Sequence, residues 1–149
     1  MKVRDFRNHI VQPCIDEFLS SPDSVHRIAS ATWALDGYAS HIYYGGCVKT
    51  LCKDDTEYKR HVLIKESYDF LQVFEMAKAL KHGTLTRSSS RIRSSSDLRY
   101  GELEGWSWYL SGADAPGEQF YTHPEGKLSA GYSDALLKAL EFLDRKAGN

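Results

Sequence analysis

Residues 53–83 read KDDTEYKRHVLIKESYDFLQVFEMAKALKHG, and their apolar spacing decides the fold. Tyr58, Val62, Phe70, Val73, Ala77 and Leu80 recur every three or four residues, which is the period of one helix face. Lys53-Asp54-Asp55-Thr56 has the short polar side chains that start a helix. Ser67 marks an interruption. Gly83, directly behind His82, closes the helix as a residue that tolerates left-handed backbone.

Working back toward the amino terminus, the same period appears twice more. Val3, Phe6, Ile10, Cys14 and Phe18 form one apolar stripe, and Pro13 either kinks this first helix or restarts it, because proline lacks an N–H and clashes with the preceding turn. Ser20-Ser21-Pro22-Asp23 then opens a second helix, with Ser21 as cap and Pro22 in the first turn. Its stripe is Val25, Ile28, Leu35, Ala39 and Ile42, and Gly45-Gly46 ends it. Residues 1–83 are therefore expected to form an antiparallel bundle of three or four helices.

Beyond Gly83 the pattern changes. Residues 84–99, TLTRSSSRIRSSSDLR, are polar and nearly repeat themselves, which reads as a loop. Residues 102–110 alternate apolar and polar with Trp106, Trp108 and Leu110 on one face, a strand signal, and residues 118–123 form a second short run. A small hairpin is expected there. Ser133-Asp134 caps a last helix carrying Leu136, Leu137, Leu140, Phe142 and Leu143, which must dock on the bundle or the hairpin to be stable. The expectation is a mainly α fold in one domain, residues 1–149, with a small hairpin and a final helix after the bundle.

Composition agrees with a self-sufficient globular domain. The chain has 149 residues, 42% apolar and 26% charged, enough to bury roughly two-thirds of its unfolded surface. Nineteen basic and twenty acidic residues leave a net charge of −1, which argues against a protein that coats DNA or membrane surfaces. Cys14, Cys47 and Cys52 are odd in number and match no zinc or redox spacing, so reduced and mostly buried thiols are expected. No run of about 18 apolar residues is present, and the amino-terminal segment lacks the apolar core of a signal peptide. A cytoplasmic location follows as the expectation. No phosphate loop, dinucleotide fingerprint, HExxH or GxSxG motif is found, which removes the usual support for several enzyme classes.

Four groups of residues carry candidate chemistry. Glu75, Lys78 and His82 share one face of the third helix, with Lys81 beside them, and His82 sits where the helix dipole favours its charged form. That arrangement suits phosphate binding or acid–base work, as well as a plain solvated face. Asp36 borders an apolar stripe beside Gly37 and needs a cationic partner if buried; Lys78, Lys81 or His82 could supply one. His41, His61 and His82 lie on separate segments that a bundle could gather around a metal, although nothing in their spacing requires it. Arg87, Arg91, Arg93 and Arg99 put four positive charges on the serine-rich loop, after Lys81 and His82 and ahead of Trp106, Trp108 and Tyr109, a combination that suits an anion or RNA.

A long second helix with polar residues in its core, then a third ending A-K-A-L-K-H-G at residues 77–83, resembles a group of small bacterial helical proteins. It is also distantly similar to the HEPN superfamily. Those are helical bundles, often dimeric, many of which cleave RNA through an Arg followed closely by a His near a helix end. Here His82 occupies such an end, but Ala77 and Lys78 stand where the Arg belongs. Arg4 and His9 have the right gap, in the first helix. The resemblance implies a module for an anionic or RNA partner, with Asp36, Lys78 and His82 as the catalytic set of a metal-independent ribonuclease if it is an enzyme. His41, Lys81, Arg87, Arg91 and Arg93 would bind the ligand, and no cofactor is implied. The alternatives are a homodimeric interaction module and a metal-dependent bundle hydrolase.

Overall fold

The computed structural model describes residues 1–83, 94, 98–102, 106–110 and 131–148. It is mainly helical. The first helical rod runs through α1 (Val3–Phe6), a π-helical turn (Arg7–Val11) and α2 (Gln12–Ser20). Pro13 does not break this rod. The helix widens to π spacing just before the proline, a known way to accommodate a residue that offers no N–H and crowds the preceding turn. A second π turn (Lys59–Leu63) lies between α4 (Asp55–Tyr58) and α5 (Ile64–Glu66).

The central element is α3 (Val25–Tyr44). Its cap is Ser24, whose Oγ accepts the Arg27 N–H at 3.4 Å, and not Ser21. The Ser21 N–H already closes α2 on the Glu17 and Phe18 carbonyls, so the start moves three residues on. Ile28, Leu35, Tyr38, Ala39 and Ile42 are fully buried, while Val25, expected on the same stripe, is 62% exposed in the first turn. Small residues Ala29, Ala31, Ala34 and Ala39 let neighbours approach from several directions. Asp54 caps α4, Ser67 caps α6 (Tyr68–His82), and Gly83 ends α6 at φ 75°.

Two strands, β1 (Leu98–Glu102) and β2 (Trp106–Leu110), pair antiparallel with Leu98 opposite Leu110. The strand expected over 102–110 is thus shorter, and its partner comes from the end of the stretch read as polar loop. The run at 118–123 lies outside the described residues. The last helix, α7 (Tyr132–Ala147), begins after Gly131 rather than at a Ser133 cap. It packs against α3 and α6, so the helical body extends beyond residues 1–83. No helix among the described residues is long and apolar enough to cross a membrane.

Polar ties fix α7 in place. Tyr132 and Thr32, both buried, share a hydrogen bond of 2.9 Å. Asp144 accepts from Arg7 Nε at 2.8 Å, from the outer Arg7 nitrogen at 3.1 Å and from the Tyr38 hydroxyl at 3.0 Å. Arg7 also donates to Gln12 at 2.6 Å. One carboxylate therefore joins the first rod, the central helix and the last helix. Replacing it strands a partly buried guanidinium and a buried hydroxyl. Asp144→Ala is expected to cost about 2–4 kcal/mol, and Tyr38→Phe about 1 kcal/mol. Denaturant midpoints at unchanged slope measure both; an Asp144→Ala midpoint equal to wild type would refute the tie.

Candidate functional site

The residues singled out in the sequence do not share one site. Asp36 pairs with Lys59, Nζ to Oδ1 at 2.9 Å, and not with Lys78, Lys81 or His82. Helical spacing explains the arrangement. Asp36, Ser40 and Tyr44 recur every four residues on one face of α3, opposite Asp55 and Lys59, which are themselves four apart. Ser40 Oγ donates to Asp55 at 2.6 Å, and the Tyr44 hydroxyl donates to the same carboxylate at 3.2 Å. The Lys59 ammonium, 6% exposed, also lies 3.7 Å from Asp55. Burial alone would raise the Asp55 pKa, but Ser40, Lys59 and Tyr44 together hold it below the usual carboxylate value. Two carboxylates and a buried ammonium are a satisfied structural group.

The α6 face is divided too. Lys78 lies with its ammonium 4.0 Å from the centre of the Phe74 ring, a cation–π contact. Lys81 and His82 are exposed at the end of α6. Arg87, Arg91 and Arg93 lie outside the described residues. Among the described residues no three His, Cys, Asp or Glu side chains come together as a metal site; the metal-dependent hydrolase has no ligand group there to stand on.

His41 is placed differently. Its ring stacks on Phe6, centroids 3.9 Å apart and 22° from parallel. Two glycines of α3 and its cap permit this. A Cβ on Gly37 would sit 3.2 Å from the Phe6 ring, and one on Gly45 would collide with Val3 Cγ2. The mid-helix glycine thus admits an aromatic ring. With Val3 on Gly45 and Phe6 on Gly37, the first rod runs antiparallel to α3.

This docking leaves a cleft of about 560 Å³ where the two meet, lined by Met1, Lys2, Val3, Arg4, His41, Tyr44, Gly45, Cys47 and Ala147. Among the described residues no acidic side chain lines it. Among the described residues Lys2 and Arg4 join none of the ion pairs, which use Arg7, Lys59, Lys138 and Lys146. The carboxyl ends of α3 and α7 also arrive here, each worth about half a negative charge. Against Lys2, Arg4 and the positive amino terminus of Met1, the balance stays at about +2. Lys2, Tyr44 and Cys47 carried no signal in the sequence, because a cleft between two helix ends depends on register, not spacing. Arg4 was visible only as half of a misplaced Arg–His pair.

Comparison with known proteins finds no family, no curated protein and no solved structure that matches this chain.

Burial, and then the positive charge of the amino terminus, lower the His41 pKa from 6.5. A histidine more acidic in the folded state contributes stability above its unfolded pKa and loses it as pH falls through the folded value. Thermal midpoints of wild type should therefore fall more steeply below pH 6.5 than those of His41→Gln. Parallel curves for the two proteins would show that His41 does not couple folding to pH.

Proposed function

We propose that this chain is a helical module that binds an anionic, phosphate-bearing partner in the cleft between the first rod and the end of α3. The observation that carries the reading is the pair of cations, Lys2 and Arg4, free of ion pairs among the described residues, on a wall without acidic side chains. Arg4 supplies a planar fork suited to phosphate oxygens, and Lys2 supplies a mobile point charge. The His41 ring presents one face to Phe6 and its edge nitrogens remain available to a ligand. A volume of about 560 Å³ suits a nucleotide-sized ligand or the end of a strand. The resemblance to HEPN-type bundles makes RNA the first partner to try, in a cytoplasmic setting. In this reading binding does not require catalysis, and the α6 end with Lys78 and His82 lies outside the binding site.

The test is a titration of a short 5′-phosphorylated single-stranded RNA across a salt series. Two phosphate contacts give a log–log salt slope of about −1.4 for single strands. Lys2→Ala with Arg4→Ala should weaken binding about tenfold or more and flatten that slope. His82→Ala should bind like wild type. If the double variant binds unchanged while His82→Ala fails, the site is at the end of α6 and this reading is lost.

A second reading, a homodimeric interaction module, is favoured by two apolar residues that the fold leaves in water. Trp33 on α3 is 50% exposed and Ile10 on the first rod 38%. The antiparallel packing sets them at the same height: Ile10 lies one turn beyond Phe6, and Trp33 one turn before Gly37. Under this reading Trp33→Ser shifts the chain from dimer to monomer in sedimentation, whereas a wild type monomeric at high micromolar concentration refutes it.

A further inference from the structure

The segment between α3 and α4 holds two of the three cysteines. Cys47 is exposed and Cys52 half-buried, and both are free thiols. Both ends of this six-residue stretch, CVKTLC, are bonded to α3, the first to its backbone and the second to the tip of the Tyr43 side chain. The Cys47 N–H donates to the Ile42 carbonyl at 3.3 Å, and the Tyr43 hydroxyl donates to the Cys52 carbonyl at 2.7 Å. Thr50 Oγ1 donates to Cys52 Sγ at 3.0 Å. Gly46, at φ 69°, turns the chain into the segment. Leu51 stands fully in solvent, so the stretch is open to small reagents.

A further observation points at the same place. The Tyr58 hydroxyl is buried and has no hydrogen-bond partner among the described residues, although its ring packs on Tyr43, centroids 5.6 Å apart. Burial pushes its pKa up to about 12, and negative charge at Glu66, Cys47 and Cys52 adds to the rise. Both thiols are therefore electrostatic neighbours of one orphaned donor.

We propose that Cys47 and Cys52 form a reversible dithiol–disulfide pair that responds to peroxide. The exposed Cys47 thiolate attacks one peroxide oxygen and becomes a sulfenic acid, and the other oxygen leaves as water after taking a proton. The Cys52 thiolate then attacks the Cys47 sulfur, the S–S bond forms, and the sulfenic oxygen leaves as a second water. Two electrons pass from the two sulfurs to the peroxide, and a dithiol reductant reverses the step. Six residues close a small ring, so the chain loses little further freedom. Because Cys47 also lines the cleft, the disulfide would stiffen one of its walls. The redox chemistry stands independently of what the cleft binds.

The experiment treats the full chain with hydrogen peroxide and digests it with trypsin after blocking free thiols. Lys49 lies between the two cysteines and Lys53 follows the second, so a disulfide keeps the peptide ending at Lys49 joined to residues 50–53 until reductant is added. Wild type is expected to give the joined peptides from a monomeric chain, and Cys14→Ser to behave alike. Cys52→Ser should stop at a Cys47 sulfenic acid that dimedone captures. Separate peptides with both thiols blocked would overturn the proposal. So would a link to Cys14, a link between chains, or oxidation of Cys47 to the sulfinic acid in wild type.

Discussion

The Asp144 carboxylate is the interaction on which the rest of the structure depends. It sits near the end of α7, yet its donors come from the first rod and from the middle of α3. Helices of this length gain little stability alone, and the apolar faces of α3 would accept several packings. A partly buried carboxylate accepting from both Arg7 and Tyr38 accepts few, since any other register leaves charge without a partner. The tie also sets how the first rod crosses α3. Phe6 then falls over Gly37 and His41, and Val3 over Gly45. The cleft is a consequence of that crossing.

Charge is sorted on the surface of α3. One face, with Asp36, Ser40 and Tyr44, is occupied by Asp55 and Lys59. Another carries His41 toward the first rod, where Lys2 and Arg4 arrive with no acidic neighbour in the cleft wall among the described residues. Tyr44 belongs to both, donating to Asp55 while it lines the cleft. The buried ammonium of Lys59 is saturated by two carboxylates, whereas the cleft cations are not. That difference, more than the number of basic residues, is why the cleft is the place to look for an anion.

Much of the helical layout was legible because it depends on neighbours in sequence. The end of α3 at Gly45, the Asp54 and Ser67 caps, and the Gly83 terminus all follow from local chemistry. The start of α3 was misplaced because Ser21 and Ser24 are both good caps, and the choice was made by α2 using the Ser21 N–H first. Pro13 pointed to a kink or restart, and the rod absorbed it by widening. The site was harder. Asp36 was correctly singled out as a carboxylate in need of a cation, but the cation came from the π turn after α4 and not from α6, because register between helices is not written in one sequence. His41 was also singled out, while its companions Lys2 and Tyr44 were invisible without the docked rod.

The proposed anion site is a product of the Asp144 tie, and anion affinity of Asp144→Asn tests that link most directly. The substitution leaves Lys2, Arg4 and His41 untouched and keeps the volume of the side chain, but removes the charge that holds Arg7. The helices are expected to remain, by circular dichroism, while affinity for a 5′-phosphorylated oligonucleotide drops severalfold as the first rod loosens from α3. Wild-type affinity in Asp144→Asn would contradict it, because the cleft would then not depend on the interaction said to build it.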